Sequence, residues 1–281
     1  MASSSTLAGH TVVALHAHPD DEAIFTGITL RRLAAAGART VLVVATSGDL
    51  GESRVPLRPG ETVPQRRTAE LERAAELLGV DRLVLLGHRD SGLPGWESTR
   101  HARALAAAPV LPLARALAEL ADAEGATALI HDDEDGIYGH PDHAATHRIG
   151  AAAADLAGLP AYRTTVDRDA LDSRTPAGHL VHGAAGAAGV RYGRRAEEIS
   201  LSVTGTAEDL AVKRAAILAH ESQVAESDLP EDGFAAAYGQ EWFRRTGGEP
   251  GPLEVLAALT GHRADHRADH GADHKAVTPA P

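Results

Sequence analysis

The chain has 281 residues, 43% of them hydrophobic and only 3% aromatic, with no cysteine and a formal net charge of −12 at pH 7. Such a chain can bury a full aliphatic core, while its acidic balance argues against a general nucleic-acid binder. Without cysteine there are no disulfide staples and no thiolate metal sites, so any metal must be held by His, Asp or Glu, and a reducing compartment fits.

The N-terminus, Met1 to Thr6, lacks the basic and apolar regions of a signal peptide, and no run of about eighteen apolar residues follows, so a cytoplasmic protein with no membrane span is expected. Thr11 to Leu15 (TVVAL) reads as a strand. From about Glu22 to Ala36 the apolar residues recur at helical spacing, and Gly37 suits the stop. Arg39 to Ala45 (RTVLVVA) is a continuous apolar run, the mark of a strand covered on both faces. A polar loop opens at Thr46 and runs to about Val63. Gln65 to Leu78 is a predicted helix stopped by Gly79, and Arg82 to Leu86 a third strand. A helix is predicted from Val110 to Ala123 with Pro112 in its first turn, a fourth strand from Ala126 to His131, and a helix from Pro141 to Ala157.

This alternation predicts a Rossmann-like α/β fold, a parallel sheet with helices on both faces. In the common order 3-2-1-4, strands one and four are neighbours beside the crevice where such sheets bind ligands. Beyond Leu159 the pattern weakens. Tyr162 to Val166 and Glu198 to Val203 read as strands and Ala207 to His220 as a helix capped by Thr206, while residues 172–195 cannot be ordered and Asp228 to Pro252 reads as irregular surface. One domain over residues 1–260 is expected. In residues 261–281, His262, His266, His270 and His274 recur every four residues; Gly271 interrupts them, and a disordered extension is expected.

Two clusters follow strands one and four. His16-Ala17-His18-Pro19-Asp20-Asp21-Glu22 leaves the first, and Tyr138-Gly139-His140-Pro141-Asp142-His143 follows the fourth, some 120 residues later. Unpaired charge beside a core is costly, so such clusters usually bind a cation or titrate in a reaction. A catalytic zinc site takes three protein ligands and keeps one position for water. His18 and Asp21 can supply two from one turn, and His143 the third. Asp20 is then free to act as general base on the water, His140 to stabilise an oxyanion, and Asp142 to orient an imidazole. The implied chemistry is amide hydrolysis. A dinucleotide-binding oxidoreductase would need Gly-x-Gly-x-x-Gly where His16 to Glu22 stands, and a non-catalytic metal-binding module would not need every group of a hydrolase.

At these residues the chain resembles the PIG-L / LmbE-like zinc N-deacetylases, whose signature pair is similar to Ala17-His18-Pro19-Asp20-Asp21-Glu22 with Gly139-His140-Pro141-Asp142-His143. The resemblance spans roughly residues 10 to 225 and is nearest to mycothiol-pathway members. It implies one zinc per chain on His18, Asp21 and His143, Asp20 as base, and His140 as oxyanion stabiliser or acid. It also implies substrate contacts from Arg67, Asp90 in Arg89-Asp90-Ser91-Gly92, and Tyr138; Gly48 to Glu52 and Lys213 to Gln223 resemble further family motifs. The implied substrate is a small N-acylated amino sugar or N-acetylglucosaminyl conjugate, with a mycothiol S-conjugate or an antibiotic-like amide as the alternative. Neither nucleic acid nor membrane is implied as a partner, and a homo-oligomer is neither required nor excluded.

Overall fold

The strand TVVALH, β1 (Thr11–His16), is buried along its whole length between two parallel neighbours, β2 (Arg39–Thr46) and β4 (Ala128–Asp132). β3 (Arg82–His88) pairs outside β2 and β5 (Ala161–Thr165) outside β4, again in parallel. The computed structural model describes residues 6–174 and 178–259. Two further strands, β6 (Leu201–Thr204) and β7 (Gln240–Thr246), complete a seven-stranded sheet of order β3-β2-β1-β4-β5-β7-β6, with β7 antiparallel to both β5 and β6. The expected order 3-2-1-4 forms one side of this sheet. The repeat His262, His266, His270 and His274 lies outside the described residues.

The period-two geometry of strands divides their side chains between two cores. Val12, Ala14, Leu42, Val44 and Ile130 belong to one, and Val13, Leu15, Val41, Val43 and Leu129 to the other. The first is covered by α1 (Asp21–Ala35), α2 (Val63–Leu78), α8 (Ala207–Leu218) and α10 (Pro252–Ala258); the second by α3 (Val110–Ala123) and α5 (Pro141–Ala157). Short helices fill the connections: α4 (Gly136–Gly139), α6 (Arg168–Arg174), α7 (Leu180–Ala188) and α9 (Glu231–Tyr238). No described helix is long and apolar enough to cross a membrane.

Three stretches differ from expectation. α2 begins two residues early, because Thr62 caps it and exchanges hydrogen bonds with Gln65, with Pro64 in the first turn. Within residues 172–195 lies α7, whose N-cap His179 accepts from the Val181 N–H and whose end is set by Gly189 at φ 67°. Its internal Gly183 and Gly186 conceal the helical pattern. Asp228 to Pro252 is not irregular: it holds α9 and β7, which inserts between β5 and β6. Glu241 breaks the apolar rhythm of β7. Its carboxylate is buried yet fully engaged, accepting from the Ile28 and Thr29 N–H groups of α1 at 2.7 and 2.8 Å, from Thr29 Oγ1 at 2.6 Å, and from Lys213 Nζ of α8 at 2.7 Å.

Candidate active site

β1 and β4 end side by side, so the loops that follow them meet at the same edge of the sheet. Two non-glycine residues among those described have positive φ, Asp20 at 109° and Ile137 at 56°, one in each loop. For a β-branched residue in particular this is a strained backbone, of the kind that surrounding structure must hold in place and that gathers at functional sites. The Ile137 N–H is tied to Asp133 Oδ1 at 2.9 Å, and its carbonyl accepts from Gly193 N at 2.6 Å.

Three donors converge from the two loops. Asp21 Oδ2 lies 3.5 Å from His18 Nδ1, and Asp21 Oδ1 lies 3.5 Å from His143 Nε2. These spacings are too long for good hydrogen bonds. They approach the roughly 3.3 Å between donors that ligand bonds of about 2.0–2.1 Å impose on a tetrahedral ion. Each imidazole is held from behind. His143 Nδ1 is 2.9 Å from Asp132 Oδ2, and His18 Nε2 is 3.2 Å from Asp142 Oδ2. Asp142 is itself fixed by the Ser91 N–H at 2.8 Å and by the Ser91 hydroxyl. Carboxylates behind ligating imidazoles set the tautomer and raise basicity.

The electrostatics point the same way. Burial opposes a charge on His18, but Asp90, Asp142 and Asp21 outweigh it and raise its pKa well above the ordinary range. His143 is likewise raised, with Asp21 and Asp132 overcoming burial. Asp21 is driven well below the carboxylate range despite burial, by His143 and His18. A pocket that wants positive charge on two buried imidazoles is suited to a cation. By contrast, burial and the neighbouring His18 and His143 lower His140 to about 3, so it is neutral. Its Nδ1 accepts from the Asp142 N–H at 3.2 Å, which leaves the proton on Nε2.

Asp20 stands beside this centre. Its carboxylate is raised to about 6, chiefly by burial, with Arg67 opposing. Arg67 Nη2 is 3.1 Å from Asp20 Oδ2 and also donates to the Pro19 carbonyl, while Nη1 donates to the Gly48 carbonyl at 3.1 Å. Gly48, at φ 61°, has room for that guanidinium only because it lacks a side chain: a Cβ would lie 2.3 Å from Arg67 Nη1. Tyr138 Oη is 3.3 Å from His143 Nε2, and burial pushes its hydroxyl pKa up. Asp90 Oδ1 is 3.7 Å from His18 Nε2 and accepts from the Gly92 N–H. Asp90 and Arg89 do not pair with each other. Asp49, after β2, takes the Asp90 N–H at 2.8 Å and Arg89 Nε at 3.0 Å, and so shapes that loop.

A cavity of about 400 Å³ opens over these groups. His18, Asp20, Arg67, Asp90, Tyr138 and His140 line its floor, and Leu50, Leu93, Trp96, Ala184, Ala187 and Gln223 its mouth. A larger hollow of about 570 Å³ between α2 and α8 holds none of the clustered histidines. All nine residues singled out in the sequence therefore lie at one place. Four other contributors were not singled out from the sequence as site residues. Asp132 is the last residue of β4; Ser91 and Asp49 belong to neighbouring loops; His220 is wholly buried, 2.7 Å from Glu22. The acidic run at Asp132–Asp135 was the available signal for the first. His16 hydrogen-bonds Thr26 at 2.9 Å inside the core, and Trp242 is packed in β7.

Residues 13–154, half of the chain, match the family described as PIG-L, GlcNAc-PI de-N-acetylase. The chain belongs to the PIG-L family. It is an N-deacetylase, a metal-dependent amide hydrolase. It is 36% identical over 273 residues to a 1D-myo-inositol 2-acetamido-2-deoxy-alpha-D-glucopyranoside deacetylase of Nakamurella multipartita, a match covering 86% of this chain and 91% of that protein. Its fold is shared with N,N'-diacetylchitobiose deacetylase from Pyrococcus horikoshii, with 19% identity, a TM-score of 0.52, and coverage of 92% of this chain and 87% of the other. The same fold also carries a 4-carboxy-2-hydroxymuconate hydratase, GalB of Pseudomonas putida, with 16% identity, a TM-score of 0.56, and coverage of 86% and 98%. Fold alone does not decide the reaction. In this PIG-L deacetylase His18, His140 and His143 bring ring nitrogens within 4.8 Å of one another, a group able to hold a metal.

Proposed function

We propose that the chain removes the acetyl group from the amine of an N-acetylglucosaminyl conjugate, nearest to the inositol glycoside named for its relative, with one zinc ion held by His18, Asp21 and His143. The observation that carries this is the convergence of two imidazoles on one carboxylate at tetrahedral spacing, with a further carboxylate beside them at the cavity floor. Two nitrogens and one carboxylate are a donor set that suits zinc and keeps a position open. The bound cation would supply Lewis-acid activation of a water and of the acyl carbonyl.

The remaining roles belong to the chain. Asp20, outside the converging donors, takes the proton of the attacking water and returns it to the leaving amine. His140, neutral with its proton on Nε2, donates to the acyl oxygen as negative charge develops there. Asp142 and Asp132 keep the rings of His18 and His143 in orientation. Asp90 and Tyr138 face the cavity as contacts to the sugar. Arg67, whose guanidinium is committed to three protein oxygens, serves the substrate through Asp20.

Amine release should be measured with N-acetylglucosaminyl inositol, free N-acetylglucosamine, a mycothiol S-conjugate and a glycopeptide N-acyl amide. The inositol conjugate is expected to turn over fastest. Release only from the S-conjugate or the glycopeptide would reassign the substrate, and release from none would overturn the proposal.

A further inference from the structure

The backbone of Asp20 has φ 109°, outside the ordinary range of an L residue, and something must hold it there. Its carbonyl accepts from the Ala23 and Ile24 N–H groups as α1 begins. Its own N–H donates to Glu22 Oε2 at 3.0 Å. The other oxygen of that carboxylate, Oε1, lies 2.7 Å from His220 Nε2, and both side chains are wholly buried. A buried carboxylate–imidazole pair is costly to desolvate, so it is weak as a device for stability alone.

His220 is 198 residues from Glu22 along the chain, in the turn after α8. That turn is closed by the His220 carbonyl, which accepts from Gln223 N at 2.8 Å and Val224 N at 2.9 Å. It is anchored to α2 through Ser222, whose N–H and hydroxyl donate to Glu70 at 3.0 and 2.6 Å. α2 also carries Arg67. Asp20 is thus gripped by α2 at its carboxylate and by Glu22, which the late turn holds, at its amide.

We propose that His220 is a positioning residue for the deacetylation, acting through Glu22 to fix the strained backbone of Asp20 and so aim its carboxylate. This rests on Asp20 being the general base. It concerns the orientation of Asp20 and not the capture of the metal.

The test uses the full chain with N-acetylglucosaminyl inositol, reading kcat, KM, metal content and melting temperature. His220→Leu should lower kcat by about ten- to a hundredfold, the scale of a small misplacement of a catalytic group, with KM within about twofold and metal content as in the unmodified chain. His220→Gln, whose amide nitrogen can reach the same Glu22 oxygen, should recover most of the loss. In an Asp20→Asn background, His220→Leu should cause no further loss, because the two act as one unit. If His220→Leu does not fold, His220→Asn, which is polar but falls short of Glu22, takes its place under the same criteria. Unchanged kcat, a full additional loss on top of Asp20→Asn, or loss of the metal would each overturn the proposal. If Asp20→Asn itself keeps full turnover, the base assignment fails, and the proposal with it; a failure of the His220 proposal alone leaves the Asp20→Asn loss intact.

Discussion

Arg67 Nη2 lies 3.1 Å from Asp20 Oδ2, and the same guanidinium donates to the carbonyls of Pro19 and Gly48, so one buried side chain fastens the loops after β1 and β2 together. Its two terminal nitrogens are engaged by protein oxygens, while Nε is buried without a hydrogen-bond partner. Arg67→Met is therefore expected to lower kcat at least tenfold with little change in KM, and to cost stability on the scale of about 3–5 kcal/mol for breaking a buried pair. A rise in KM with kcat unchanged would instead make Arg67 a direct substrate contact.

Asp20→Asn removes a base without removing a converging donor. Metal content and KM should hold while kcat falls by roughly a hundredfold or more, the usual scale for general acid–base catalysis. Loss of the metal would show that Asp20 is itself a ligand, and full activity would move the base to another residue, His140 first.

The order of the first four strands and the meeting of the two clusters are legible because β1 and β2 are unbroken apolar runs and the connections obey simple rules. β7 is hidden for a physical reason. Glu241, near its start, is a charge in a core, tolerable only because Lys213 and two backbone N–H groups of α1 meet it, and those partners are remote in sequence. The same holds at the site. His18, Asp21 and His143 announce themselves by spacing. Asp132 stands in an acidic run and His220 in a stretch that resembles a family motif, but each matters through a single contact, to His143 and to Glu22, that the sequence does not specify.

Asp132 holds the ring of His143 and should matter to the metal without touching it. Asp132→Asn is expected to weaken metal affinity by about 10- to 100-fold, read by competition with a chelator. His143→Ala should lower metal content by about one equivalent relative to the unmodified chain, a difference unaffected by metal on the histidines from His262 onward. Equal metal content and affinity in both variants would remove His143 from the ligand set.

The Lys213–Glu241 pair is closed inside the first core at 2.7 Å. Lys213→Met leaves Glu241 a buried charge without its cation and should destabilise by about 3–5 kcal/mol, measured by denaturant unfolding. Replacing both, Lys213→Met with Glu241→Gln, should recover part of that loss, since no charge is then buried and the amide oxygen can still accept from one of the two N–H groups of α1. No recovery would mean that the pair contributes more than mutual neutralisation.

His131 makes stability depend on pH in a predictable direction. It sits in β4 with no exposure to solvent, Nδ1 donating to the Asp132 carbonyl at 2.8 Å and Nε2 buried with no hydrogen-bond partner. Gly150 of α5 packs so close that a Cβ there would fall 2.5 Å from the ring. Protonation at Nε2 would bury an unpaired cation, and burial accordingly lowers the pKa to about 4, against about 6.5 in the unfolded chain. A depressed histidine pKa means that the unfolded state takes up the proton first. The stability contributed is complete above pH 6.5 and is lost as pH falls from there toward 4, at about 1.4 kcal/mol per pH unit. His140 is lowered in the same sense, so the unmodified chain alone does not isolate His131. His131→Asn does, because its side-chain amide keeps the donor to Asp132 but does not titrate. The variant should be less stable than the parent at pH 7.5, and that gap should narrow by about 2 kcal/mol at pH 5. Unfolding curves at the two pH values with an unchanged gap would show that His131 is protonated in the fold and has found a partner there.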